Sequence, residues 1–300
     1  MTQSLRIGID LGGTKIEAVA LDSAGGSLFA KRVATPVGDY RATVQAIVAL
    51  VHEAERATGR SGSVGVGTPG CISQATGRIK NSNSACLNGQ PLDRDLAAAL
   101  GRPVRLANDA NCFALSEATD GAAAGAEVVF GVIVGTGTGA GVVVHGRVLT
   151  GANGIAGEWG HNPLPWPRAE ERLGPACYCG KHGCIETFLS GPGMQADYTR
   201  ASGQTASAEQ IVARASEGDA SAEATVAHYE DRMARGLACI INVLDPDVIV
   251  LGGGMSNIRR LYDNVPRLWG QYVFSDEVRT RLVPARFGDA SGVRGAAWLW

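Results

Sequence analysis

Three cysteines fall within eight residues, Cys177, Cys179 and Cys184, downstream of the run Gly157-Glu158-Trp159-Gly160-His161. Glycines between the thiols let the backbone turn tightly about one point. Soft thiolates with one imidazole make the tetrahedral donor set that zinc prefers. Buried or redox-active thiols would account for Cys-x-Cys alone. The glycine-separated third cysteine and the upstream histidine favour a structural zinc held by His161, Cys177, Cys179 and Cys184. His182 is a rival fourth ligand, although it sits inside the turn of a short loop. Glu158 and Glu186 flank this set without belonging to it, and are free for another task.

A second chemistry is written in glycine. Gly12, Gly13 and Thr14 can turn backbone amides toward an anion, because glycine reaches φ values closed to other residues. Asp10, just before them, is placed to hold magnesium, through water. Gly135, Thr136, Gly137, Thr138 and Gly139 offer a similar cradle, and Gly252, Gly253 and Gly254 a third. Three such loops, each after a strand-like run, point to a nucleoside triphosphate. The P-loop pattern is absent. Residues 135–140 satisfy the dinucleotide pattern G-x-G-x-x-G/A but lead into another strand instead of a helix, which disfavours a dehydrogenase.

In Leu106-Ala107-Asn108-Asp109-Ala110-Asn111 a strand-like run gives way to a helix. Asp109 can be explained as the helix cap. It can also take the proton of an attacking hydroxyl, since phosphoryl transfer needs one positioned carboxylate beside the nucleophile. Glu158, His161 and Glu186 would then meet the remaining hydroxyls of a polyol, with one ring nitrogen of His161 on the metal and the other facing the ligand.

Strand and helix signals alternate, which favours an α/β architecture. Strands are expected at 5–10, 15–21, 27–34, 63–67, 104–107, 127–134, 141–148 and 248–251. Helices are expected at 40–58, where Val44, Ile47, Val48 and Val51 share one face, and at 110–118, 219–244, 258–268 and 295–300. Residues 7–15 and 130–139 share the plan strand, Gly/Thr turn, strand, which suggests two similar α/β domains facing each other across a cleft. The small-residue stretch 120–126 separates them.

The 300 residues, 45% hydrophobic and 19% charged, describe a globular chain with a substantial core. No apolar run is long enough to span a bilayer, and the N-terminus shows no secretory pattern. Seven cysteines, an odd and clustered set, fit a reducing cytoplasm. A net charge of −2 without a basic stripe argues against nucleic acid as a partner.

The residues at 10–15, 106–111, 158–161 and 177–186 resemble the motifs of the ROK family of repressors and sugar kinases, and the resemblance covers nearly the whole chain. Within it, residues 157–166 and 292–300 look most like bacterial fructokinases, with N-acetylglucosamine kinases as near neighbours. The resemblance implies a two-domain actin-like ATPase (ribonuclease H-like) fold with an interdomain active-site cleft. It also implies ATP with magnesium, phosphorylation of a hexose (fructose foremost) at its 6-hydroxyl, and a homodimer. Asp109 would be the general base. Asn108, Glu158, His161 and Glu186 would hold the sugar, and Asp10, Gly12, Gly13, Thr14, Lys15, the 135–139 loop, Gly253 and Gly254 the nucleotide. His161, Cys177, Cys179 and Cys184 would bind zinc. The domains are expected at 1–118 with 290–300, and at 119–289. The 162–176 connector is longer than in many family members. Kinases for N-acetylglucosamine, glucose or mannose are the alternatives within the class, and a non-catalytic sugar sensor is the alternative outside it. Family repressors carry a DNA-binding segment before the first phosphate strand, where this sequence has only a few residues.

Overall fold

The computed structural model describes residues 5–300; residues 1–4, on which the expected lack of a secretory pattern partly rests, lie outside the described residues. In chain order the elements are β1 (Leu5–Leu11), β2 (Lys15–Leu21), β3 (Ser27–Ala34), α1 (Tyr40–Thr58), β4 (Gly62–Thr68), β5 (Cys71–Ile72), β6 (Ile79–Lys80), α2 (Leu92–Leu100), β7 (Val104–Asn108) and α3 (Asp109–Thr119). There follow β8 (Val128–Val134), β9 (Thr138–Val144), β10 (Arg147–Val148), α4 (Ile185–Leu189), α5 (Gly191–Ser202), α6 (Ala208–Ser216), α7 (Ala220–Leu244), β11 (Val248–Gly252), α8 (Leu261–Trp269), β12 (Arg281–Pro284) and α9 (Ser291–Ala297).

The first sheet has the order β3-β2-β1-β4-β7. β1, β4 and β7 run parallel, and their register sets Asp10 against Gly67 and Gly67 against Ala107. Asp10 and the β7–α3 junction therefore share the carboxyl edge of the parallel strands, where open α/β sheets hold their ligands. Helix α1 starts at Asp39, whose side chain accepts the Ala42 N–H, and ends at Gly59 in the left-handed region. It buries Ile47, Leu50, Val51 and Ala54, so its inner face is turned slightly from the expected one: Val44 and Val48 only border the core. The opposite face of the sheet is covered by α9. A Cβ at Gly8 would strike Val293 O, and one at Gly65 would strike Ala296 O, so these strand glycines let the helix backbone approach.

The second sheet, β10-β9-β8-β11-β12, repeats the order third, second, first, fourth, fifth. The hairpins β1–β2 and β8–β9 are the two segments whose similarity is visible in the sequence. The expected strand at 141–148 is corrected: β9 starts at Thr138, and His145 and Gly146, both at positive φ, turn the chain into β10. The expected terminal helix at 295–300 lies earlier, at α9.

The chain forms two compact units, one of the chain up to Gly125 with Gly141–Ala156 and Arg286–Trp300, the other of Ala126–Ala140 with Gly157–Ala285. The boundaries thus differ from those expected, and residues 141–156 belong to the first unit. Close packing is the reason: a Cβ at Gly141 would lie 2.5 Å from Ala110 O and 2.8 Å from Asn111 Cα, so the chain is flush against α3 there. No described helix is long and apolar enough to cross a membrane.

Candidate functional site

In the first unit, Asn108 ends β7 in extended conformation and its Oδ1 accepts the Asn111 N–H at 2.8 Å. Asn108 is therefore the N-cap of α3, which corrects the reading of Asp109 as the cap. Asp109 is the first helical residue, and its Oδ1 accepts the Ala110 N–H at 2.8 Å. Its side chain reaches solvent, yet the surrounding protein strips enough water to push the carboxyl above its ordinary range, partly offset by that N–H. Burial, then the negative charges of Asp109 and Glu17, push Asp10 up to about 6.

A Cβ at Gly67 would lie 3.2 Å from Cys112 Sγ and 3.7 Å from Asp10 Oδ1, and one at Gly292 would lie 3.5 Å from Asp10 Oδ2. Asp10 thus has glycine on two sides and the buried Cys112 close by. Burial and the two carboxylates hold that thiol neutral. No pattern in the sequence marks Gly67, Cys112 or Gly292 as neighbours of Asp10, because their closeness arises from register and helix packing. The Gly12-Gly13-Thr14 turn is fixed by Gly12 N–H donating to Lys15 O at 3.0 Å, and by Thr35, which donates from its hydroxyl to Gly12 O at 2.8 Å and from its amide to Thr14 O at 3.0 Å. The Gly12 amide is thereby committed to the turn itself. Lys15 opens β2.

In the second unit, Gly135 donates to Gly137 O at 2.9 Å and accepts from Gly191 at 2.7 Å, which ties this loop to the start of α5. Thr138 and Gly139 lie in β9, a correction to the expected 135–139 loop. Gly253 sits at φ +79°, with Val134 O where a Cβ would stand, so its role is to make the turn. Gly254 joins Gly135 and Thr136 around a cavity of about 640 Å³, whose walls also include Gln195, Glu209, Val212 and Met255. The last four lie on helices and turns that carry no sequence motif.

The Cys177-Tyr178-Cys179-Gly180 knuckle is closed by Gly180 N–H to Cys177 O at 3.0 Å and Cys177 N–H to Lys181 O at 2.8 Å. A tetrahedral zinc, with Zn–S about 2.3 Å and Zn–N about 2.0 Å, sets two thiolates roughly 3.8 Å apart and a thiolate and an imidazole roughly 3.5 Å apart. Cys179 and Cys184 Sγ are 3.6 Å apart, and Cys177 Sγ is 3.6 Å from His161 Nδ1. All four donor atoms lie within 4.8 Å of one another. The donor set fits zinc. His182 is instead in an antiparallel bridge with Ala176 and stays outside the group. His161 Nε2, the ring nitrogen expected to face a ligand, meets the Tyr178 hydroxyl at 2.9 Å. Glu158 is exposed, just before the 3-10 turn Trp159–His161.

The long connector between His161 and Cys177 is anchored to α7. Glu171, buried within it, accepts from Arg232 Nε at 2.7 Å and from two Arg235 nitrogens at 2.8 and 2.9 Å. Burial alone would raise its carboxyl, but these guanidinium groups hold it at about 2. Arg235 also donates to the carbonyls of Pro165 and Trp166 at 3.1 and 3.0 Å. The segment is a braced strap. Charged residues in a long connector look solvated in sequence, so this network could not be foreseen.

Comparison with known proteins follows the same outline. The profile of the ROK family matches residues 6–300. N-acetyl-D-glucosamine kinases from Yersinia enterocolitica and Photobacterium profundum are 40% and 41% identical to the chain, over 97% of it and 98% of their own length. A ROK hexokinase from Thermus thermophilus is 35% identical with a TM-score of 0.88, covering 98% of this chain and 97% of that one. The α/β, two-domain actin-like fold expected from the sequence holds. The expected leaning toward fructokinases is corrected by the full-length relatives, which carry another sugar in their names. The stretches behind that expectation, 157–166 and 292–300, hold His161 of the donor cluster and most of α9.

Proposed function

The chain belongs to the ROK family, and from that premise we propose that it transfers the terminal phosphoryl group of ATP to the 6-hydroxyl of N-acetyl-D-glucosamine. The observation that carries this reading is the pair Asp10 and Asp109 at one sheet edge, in a chain similar over nearly its whole length to kinases named for that sugar. Asp109 takes the proton of the 6-hydroxyl as that oxygen attacks phosphorus and ADP departs. A carboxyl raised above its ordinary range is a better base near neutral pH. Asn108, with Oδ1 committed to the cap, has its amide N–H₂ left for a sugar hydroxyl; Glu158 and Glu186 serve the others, and His161, with Nδ1 toward Cys177 and Nε2 on the Tyr178 hydroxyl, acts through the loop that carries them. Asp10 is the carboxylate for magnesium, whose charge would offset the burial that disfavours ionisation there; bound, the ion screens phosphate charge. In the first unit Gly13, Thr14 and Lys15, on the turn that Gly12 closes, are the phosphate contacts; in the second unit the contact is the Gly135-to-Thr138 segment, and the cavity beside Gly254 receives the rest of the nucleotide. His161, Cys177, Cys179 and Cys184 would hold a zinc with no open position, which would act by holding the loop.

Incubation with ATP, magnesium and N-acetyl-D-glucosamine should give ADP and a sugar phosphate whose phosphorus signal is a triplet, from coupling to the two C6 protons. ADP formation no faster than without protein would refute the reading.

A further inference from the structure

Resting on the phosphoryl-transfer reading above, we propose that Glu186 is a sugar-operated gate on the phosphate-binding turn. Its Oε2 accepts the Thr138 N–H at 2.9 Å. The same oxygen lies 2.8 Å from where a Cβ of Gly137 would stand. A carboxylate is therefore laid against the backbone of the turn assigned to the nucleotide, in the place an anionic oxygen would take. The Thr138 hydroxyl beside it is buried and has no partner among the described residues, although buried polar groups are nearly always paired. The turn has one donor spent on a carboxylate and one hydroxyl unused.

Carboxylate and phosphoryl oxygens compete for such amides on equal chemical terms, and their charges repel at contact distance. While Glu186 holds Thr138, a phosphoryl oxygen cannot. Glu186 follows Cys184 by two residues, and Ile185 N–H donates to Asn162 O at 2.9 Å, so its backbone is fixed and only side-chain rotation is needed to leave. Sugar hydroxyls are donors. A hexose taken up by Glu158 and Glu186 draws the carboxylate onto itself and frees the Thr138 N–H for phosphate. Sugar thereby tightens nucleotide binding, nucleotide tightens sugar binding by the same factor, and ATP is protected from hydrolysis while no sugar is present.

The test is calorimetric titration of a non-hydrolysable ATP analogue with magnesium, with and without N-acetyl-D-glucosamine. In the wild type the sugar should tighten the analogue by a factor within the usual range of about 5–150. Without sugar, Glu186→Ala should bind the analogue tighter than wild type by a similar factor and should hydrolyse ATP faster. Glu186→Gln keeps the shape and an acceptor but not the charge, and should fall between; it also serves if the alanine variant does not fold. Wild-type binding indifferent to sugar, or sugar-free affinity unchanged in the variants, would overturn the gate. If the wild type still forms the sugar phosphate, the gate alone fails. If it neither binds the analogue nor forms product, the functional reading fails with it.

Discussion

Asp10, next to last in β1, and Asp109, first in α3, stand at the same sheet edge, and the charge of Asp109, after burial, makes ionising Asp10 harder. Asp10, raised from 3.8 to about 6, keeps in the folded chain a proton that the unfolded chain releases between those values. Stability from this group is accordingly greatest in acid and falls as pH rises toward 6, above which the charge costs at most on the order of 3 kcal/mol. Asp10→Asn should therefore gain on wild type by that order between pH 4 and pH 7, in urea unfolding without nucleotide or magnesium. An offset constant across that range would contradict the assignment. Asp109→Asn leaves the Asn108 cap in place, so the folded state should survive while turnover drops about 10²–10⁴-fold and the sugar KM changes little. Near-normal turnover in the folded variant would remove Asp109 from the chemistry.

At the scale of elements, the strap between His161 and Cys177 has two fastenings, the four-donor cluster that fits zinc and the buried Glu171 with Arg232 and Arg235. Removing one member of a buried ion pair costs about 3–5 kcal/mol, because its partners stay buried and charged. Glu171→Gln should lose stability of that order in urea yet retain one zinc per chain; Cys179→Ser should lose the zinc with a raised sugar KM and a folded core. Loss of zinc from Glu171→Gln would show that the fastenings are not independent. The four donors and both glycine hairpins are legible in the sequence because each is built by short-range spacing. The Glu171 network, the Cys112 contact and the helical walls of the nucleotide cavity are not, since they depend on which helix faces cross. The positions of Thr138 and Asn108 show the intermediate case: their motifs are visible, but a shift of three residues in a strand start or of one in a cap decides what each side chain can do.

For the whole molecule, the duplicated sheet order supplies the frame, and relatives similar from end to end supply the chemistry to be expected of it. Frame and chemistry do not by themselves choose a sugar. That choice rests on hydroxyl placement, which the motifs at 157–166 and 292–300 do not encode: they resemble fructokinases in a chain whose full-length relatives are named for N-acetyl-D-glucosamine. The most direct measurement is therefore kcat/KM for N-acetyl-D-glucosamine, glucose, mannose and fructose, side by side with ATP and magnesium. The account predicts the highest value for N-acetyl-D-glucosamine. A higher value for any of the other three sugars would contradict it.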